Sequence, residues 1–159
     1  MKDRLLDLLQ KQVGFHRQLL DALRMEHSAL AEADIKALQE AVSAKQVALE
    51  AIRLAEVERL REPGEFAGLT LGQIAIAIQG KDPKGAEQLR GAMNALTILI
   101  ERAQEHNEEN RALVERALGH VYEMKKNALR DSSPKSETYS QQGQRISSHG
   151  SSRLLSREA

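Results

Sequence analysis

The sequence predicts an all-α protein: an antiparallel helical bundle of three long helices plus one short helix, with a disordered C-terminal tail. Three observations carry this expectation. Leu6, Leu9, Val13, His16, Leu20, Leu23, His27 and Leu30 follow one another at alternating steps of three and four, which sets all of them on one helical stripe. Leu89, Met93, Leu96, Ile100, Ala103, Asn107, Asn110, Val114, Ala117, Val121 and Met124 repeat the pattern. After Asp131 the periodicity gives way to serine, glycine and glutamine, a composition too polar to bury a core. The expected domains are a bundle over residues 1–130, with helices at about 3–31, 34–62, 70–79 and 83–129, and a flexible Ser-rich partner-binding tail over residues 131–159.

Each element has its own signals. In helix one, Leu5 and Leu19 widen the seam beyond two positions per heptad, which suits a bundle better than a lone dimer. Asp34 is an N-cap for helix two, whose apolar face is read as Ile35, Leu38, Val42, Leu49 and Ile52. Alanines at 37, 41, 44, 48, 51 and 55 keep helix two slim, so helices one and two close into an antiparallel hairpin through Glu32-Ala33-Asp34. Pro63-Gly64 ends it.

Thr70 and Gln73 stand at the spacing of a capping box, with Leu69 and Ile74 placed as its hydrophobic staple, so a short third helix begins there. The alternation Ile74-Ala75-Ile76-Ala77-Ile78 also fits a strand, but a single strand leaves its ladder groups unpaired. Gly80 stops helix three. Asp82-Pro83 opens helix four with a cap residue followed by proline at the first helical position. At 1.5 Å per residue, helix four spans on the order of 70 Å against about 40 Å for each of the first two. It must therefore overhang, bend at Gly91 or in His106–Asn110, or take helix three as an extra partner along its N-terminal end.

Composition narrows the function classes. Lys plus Arg and Asp plus Glu number 23 each, so no long-range field draws in nucleic acid or an anionic membrane. Aromatics make up 3% and tryptophan is absent, which removes the usual stacking platforms for bases, sugars and flat cofactors. The absence of cysteine excludes thiol catalysis, thiolate metal sites and disulfides. The opening Met1-Lys2-Asp3-Arg4-Leu5 enters an amphipathic helix at once, and no apolar run approaches the roughly 18 residues of a membrane span. The expected location is the cytoplasm.

No active site assembles from the polar residues. His16 and His27 share a seam but lie 11 residues apart, too far for two ligands on one helical turn. None of the five histidines has a glutamate three residues before it, so the Glu-x-x-His pattern of di-iron bundles is missing. Phosphate-loop and nucleophile-elbow motifs are also missing. No enzyme activity, cofactor or metal is expected. Asn107 and Asn110 occupy seam positions, where an asparagine either fixes helix register or forms a polar notch for a partner. His106 and His120, two heptads apart, admit a histidine phosphotransfer bundle as an alternative reading. A structural or tethering coiled coil that self-associates through helix four is another.

In the tail, Tyr139, Ile146, Leu154 and Leu155 are spaced apolar anchors. Burying each leucine gains roughly 1.5 to 3 kcal/mol, whereas fixing a dozen backbone residues costs roughly 12 to 24 kcal/mol. Order in the tail must come from a partner's surface.

These pieces resemble the FlgN family of flagellar type III export chaperones. The resemblance lies in Glu26-His27-Ser28-Ala29-Leu30, Asp34-Ile35-Lys36-Ala37-Leu38, Lys45, Gln104 through Val114, and Thr138-Tyr139-Ser140-Gln141-Gln142-Gly143-Gln144. It implies a cytoplasmic chaperone for the hook-associated proteins that join hook to filament. Such a chaperone keeps them unassembled and escorts them to the export gate at the membrane. The C-terminal segment would hold the cargo's terminal helix, and Tyr139 with Gly143 would contact the gate. The expected cargo surface combines Ile146, Leu154 and Leu155 with the helical face of Leu113, Val114, Leu118 and Val121.

Overall fold

The computed structural model describes residues 2–61 and 64–132, together with the backbone of 138–139 and 145–146. Four helices follow in order: α1 (Lys2–Glu32), α2 (Ile35–Leu60), α3 (Leu71–Gln79) and α4 (Pro83–Ser132). Two short strands come after them, β1 (Thr138–Tyr139) and β2 (Arg145–Ile146). The chain divides into two compact units, Met1–Leu113 and Val114–Ala159, so the boundary lies within α4.

In the first unit the α1–α2 hairpin closes as expected, by a mechanism that residue type did not announce. Asp34 N donates to Ala29 O at 3.0 Å and Ala33 N to Leu30 O at 3.4 Å, the two bonds of a Schellman ending. That ending needs a left-handed residue, and here Ala33 takes it at φ 55° in place of the usual glycine. Asp34 then caps α2, its carboxylate accepting from Ala37 N at 3.0 Å. Ala41, Ala48 and Ala55 are buried, while Lys45 and Ile52 between them and Arg59 one turn on are half-buried. The seam of α2 is thus the alanine stripe. Ile35 and Leu49, read from the sequence as part of its apolar face, are 72% and 47% exposed. Small side chains let α2 lie close to α1, and that close approach turns the larger residues outward.

α3 begins with the expected box: Gln73 N donates to Thr70 Oγ1 at 3.3 Å, and Thr70 N donates to Gln73 Oε1 at 2.8 Å. Ile74, Ala75 and Ile78 are buried and Ile76 is exposed, which is a helical period and not a strand's. Gly80 ends the helix in the right-handed region at φ −71°. Lys81 N and Asp82 N both donate to Ile78 O, and the Asp82 carboxylate accepts from Gly85 N at 2.9 Å to open α4. Pro63, the expected stop of α2, lies outside the described residues.

Two apolar clusters hold the unit together. Leu9 of α1, Ile74, Ala75 and Ile78 of α3, and Ala86, Leu89 and Leu96 of α4 form one. Leu19 and Leu23 of α1, Ala48 of α2 and Ala103 of α4 form the other. Leu9 shares a cluster with Ala86 and Leu89 near the start of both helices, and Leu23, Glu26 and His27 bond Asn110 further along, so α1 and α4 run parallel. α2 runs opposite to both, because Gln12 bonds Glu56 and Lys45 bonds Glu26 and Asn107. Of the three ways to accommodate the long helix, one is realised here: α3 packs along the N-terminal end of α4.

In the second unit, α4 continues from Val114 to Ser132. β1 and β2 then pair antiparallel, with Thr138 opposite Ile146 and Tyr139 opposite Arg145. This ladder is not among the features expected from the sequence.

Ala33→Gly relieves the left-handed strain at the hairpin and is expected to stabilise the chain by about 1 kcal/mol despite glycine's greater unfolded-state entropy. Urea unfolding of the two proteins measures this, and a lower midpoint for the glycine variant contradicts the role of Ala33.

Candidate partner-binding surface

Polar side chains from three helices converge inside the first unit. Glu26 of α1 is buried, and a buried carboxylate is tolerable only with partners. Lys45 Nζ of α2 supplies two contacts, 3.1 and 3.0 Å from the carboxylate oxygens. Asn110 of α4, 3% exposed, donates through Nδ2 to Glu26 Oε2 and to Leu23 O, each at 3.0 Å. Its Oδ1 lies 3.0 Å from His27 Nδ1, which makes that nitrogen the proton donor. Asn107 is exposed and accepts a longer bond of 3.4 Å from Lys45. The His106 ring meets that of His27 edge-on at 6.4 Å. Asn110 therefore acts as a register lock with its bonding capacity taken up inside the unit.

Beside this cluster is a groove of about 260 Å³, lined by Leu19, Leu23, Leu49, Ile100 and Ala103 with His16, Lys45 and Asn107 at its polar positions. His16 Nδ1 is buried there with no hydrogen-bond partner, and burial holds the imidazole below its ordinary value of 6.5. At the other end of the hairpin, the Arg59 guanidinium holds the Glu56 carboxyl below the usual range, with Gln12 adding a bond of 2.7 Å.

The second unit carries a different kind of surface. Val114, Leu118, Val121, Tyr122, Met124 and Leu129 are exposed, from 39% at Val114 to 70% at Met124. With 3.6 residues per turn, these six and Ala117 and Ala128 fall within one arc of about 160°. Lys125 falls inside the same arc, and the remaining arc holds Glu115, Arg116, Gly119, His120, Glu123, Lys126, Asn127, Arg130 and Asp131. This stretch is an amphipathic helix whose apolar face meets water.

Of the residues expected to bind a partner, Val114, Leu118 and Val121 lie on this face. Leu113 is half-buried and falls just outside the arc. Tyr139 and Ile146 stand on the paired strands, one position out of register with each other. Gly143, Leu154 and Leu155 lie outside the described residues. Tyr122 and Leu129 belong to the face and were missed by the heptad reading, which follows a narrow seam. Projecting all side chains around the helix axis recovers them. Among the described residues, no helix is long and apolar enough to cross a membrane, and no group of three or more His, Cys, Asp or Glu is placed to hold a metal ion.

A family model described as FlgN protein matches residues 1–146. The chain belongs to the FlgN family. This is the flagellar export chaperone family, so the general role of the chain is that of a flagellar export chaperone. No curated protein and no solved structure matches it. The FlgN match takes in all four helices and reaches Ile146, at the end of β2. Three of the segments that carried the resemblance meet in space, since Glu26 and His27, Lys45, and Asn107 with Asn110 are the polar cluster itself.

Asn110→Ala strips a donor from the buried Glu26 carboxylate and is expected to cost about 1 to 3 kcal/mol of stability, while Asn107→Ala costs under about 0.5 kcal/mol. Equal costs in urea unfolding would show that Asn110 is no lock. A second expectation concerns pH. Since the folded-state pKa of His16 is lowered, its contribution is present above about 6.5 and declines as pH falls from there through the folded value. Acidification from about pH 7.5 to 5.5 should therefore destabilise the native chain more than His16→Leu, as read from thermal midpoints at each pH. Parallel pH curves for the two proteins would contradict the burial of His16.

Proposed function

We propose that the chain captures the terminal helix of a hook-associated protein on the α4 face from Val114 to Leu129. It thereby keeps that protein unassembled in the cytoplasm and delivers it to the export gate at the membrane. The observation that supports this reading is an unpartnered apolar arc on a helix of an export chaperone. Fully burying an exposed large apolar side chain is worth roughly 1.5 to 3 kcal/mol, and six side chains that are 39% to 70% exposed recover about half of that each, a driving force from which the cost of association is then met. The recognition mode is one amphipathic helix laid on another, with anchors at spacings of three and four. On this reading the joining ends of the cargo are amphipathic helices, and covering them prevents premature assembly.

The tail supplements this surface. Ile146, Leu154 and Leu155 pack against the bound cargo, and Tyr139 with Gly143 forms the contact to the gate. Ordering a segment on binding lowers the affinity gained per unit area, which suits a carrier that must let its cargo go. Leu113 lies at the edge of the face and contributes less than Leu118 or Val121.

Co-purification of the full chain with hook-associated proteins, followed by calorimetry, tests the reading. Leu118→Asp combined with Val121→Asp is expected to weaken cargo binding at least about tenfold while leaving the melting temperature unchanged, because both side chains are exposed in the free chain. Undiminished affinity in that variant would refute the assignment of the face.

A further inference from the structure

Lys125 breaks the apolar arc, and it does so near the middle. On the helical projection it falls about 20° from the arc's midline, between Val114 and Leu118, with Leu129 one turn further on. It has no hydrogen-bond or ion-pair partner among the described residues. In water this costs nothing. Once a helix covers the arc, the ammonium group must reach the rim along its own stem, remain buried without a partner, or meet a carboxylate. A single lysine in an otherwise apolar helical seam is a device for choosing register and partner.

Resting on the docking reading above, we infer that Lys125 selects a partner helix carrying an Asp or Glu within its own apolar stripe, placed to meet the ammonium group. Charge excludes the simplest rival, a second copy of this chain. Parallel pairing of two α4 faces sets Lys125 against Lys125. Antiparallel pairing centred between Val121 and Tyr122 sets Lys125 against Leu118. Neither arrangement supplies a carboxylate inside the seam, and Glu115 and Asp131, each about 20° beyond an edge of the arc, are already engaged. Lys125 thus disfavours self-association and favours a partner with the complementary charge. The carboxylate fixes which turn of that partner lies over Lys125, and so the length of helix covered.

The test uses synthetic amphipathic peptides of roughly 18 residues, each with a leucine stripe and differing only at one central stripe position, which is Glu, Gln or Lys. Binding to the full chain is followed by fluorescence anisotropy. The Glu peptide is expected to bind about tenfold or more tighter than the Lys peptide, the order to reverse for Lys125→Glu, and the difference to vanish for Lys125→Met. Equal affinities of the native chain for all three peptides would overturn the inference, since the lysine would then be reaching the rim. Adding Leu118→Asp to the series separates the two claims. Loss of peptide binding there, with no charge preference in the native chain, refutes the role of Lys125 alone. Peptide binding that Leu118→Asp does not affect refutes the docking face. Sedimentation gives an independent reading, because Lys125→Leu should shift the chain toward a dimer relative to the native protein. A native dimer that Leu118→Asp dissociates would overturn the exclusion of self-pairing.

Discussion

The carboxylate of Glu26 cannot be buried alone, and the arrangement of the three long helices follows from how it is satisfied. An isolated charge in a helical core costs several kcal/mol, so α1 fits against α2 and α4 only where Lys45 and Asn110 reach it. Apolar packing by itself is permissive. Contacts among Leu19, Leu23, Ala48 and Ala103 are non-directional and do not by themselves single out one register. The polar cluster does, since a slip leaves a buried carboxylate, a buried amide and an ammonium group unpaired at once. Apolar burial provides the driving force and the cluster provides the register.

The same helix meets two solvents. Leu89, Leu96, Ala103 and Asn110 on the stripe of α4 are buried in the first unit, and from Val114 onward an apolar arc stands in water. Leaving six large apolar side chains exposed on a single helix is unusual for a protein that acts alone. It is what a carrier of amphipathic helices requires. The register lock lies just before the exposed stretch in sequence, so the stability of the folded unit does not depend on burying the face. The face can then be covered and uncovered without refolding the rest. Lys125 adds discrimination, because a surface that binds any apolar helix would also bind its own kind.

Much of this was legible in the sequence, and the limits have physical causes. Helix ends were readable wherever a cap has specific chemistry, as at Asp34, Thr70 with Gln73, and Asp82-Pro83. On α2, size is a poor guide at Ile35 and Leu49, which face outward, whereas Ala41, Ala48 and Ala55 pack inward through their smallness. Glu26 and Lys45 were visible as separate motif residues. Their pairing was not, since periodicity does not give the rotation of one helix against another. The pattern and the family resemblance together raise the expectation that Leu118 and Val121 bind a partner, and the structure adds that both are exposed. The pattern alone does not distinguish a buried seam from a waiting one, because Leu96 and Val121 stand on the same stripe with opposite exposures. The β1–β2 ladder was unreadable, as two residues per strand are too few for an alternation to register.

Hydrogen exchange of the full chain, with and without a hook-associated protein, tests the central claim most directly. The account predicts that bound cargo slows exchange of the α4 amides between Val114 and Leu129, with α1 and α2 unchanged. Protection confined to α2 or to the groove beside His16, with the α4 amides exchanging as in the free chain, would contradict it.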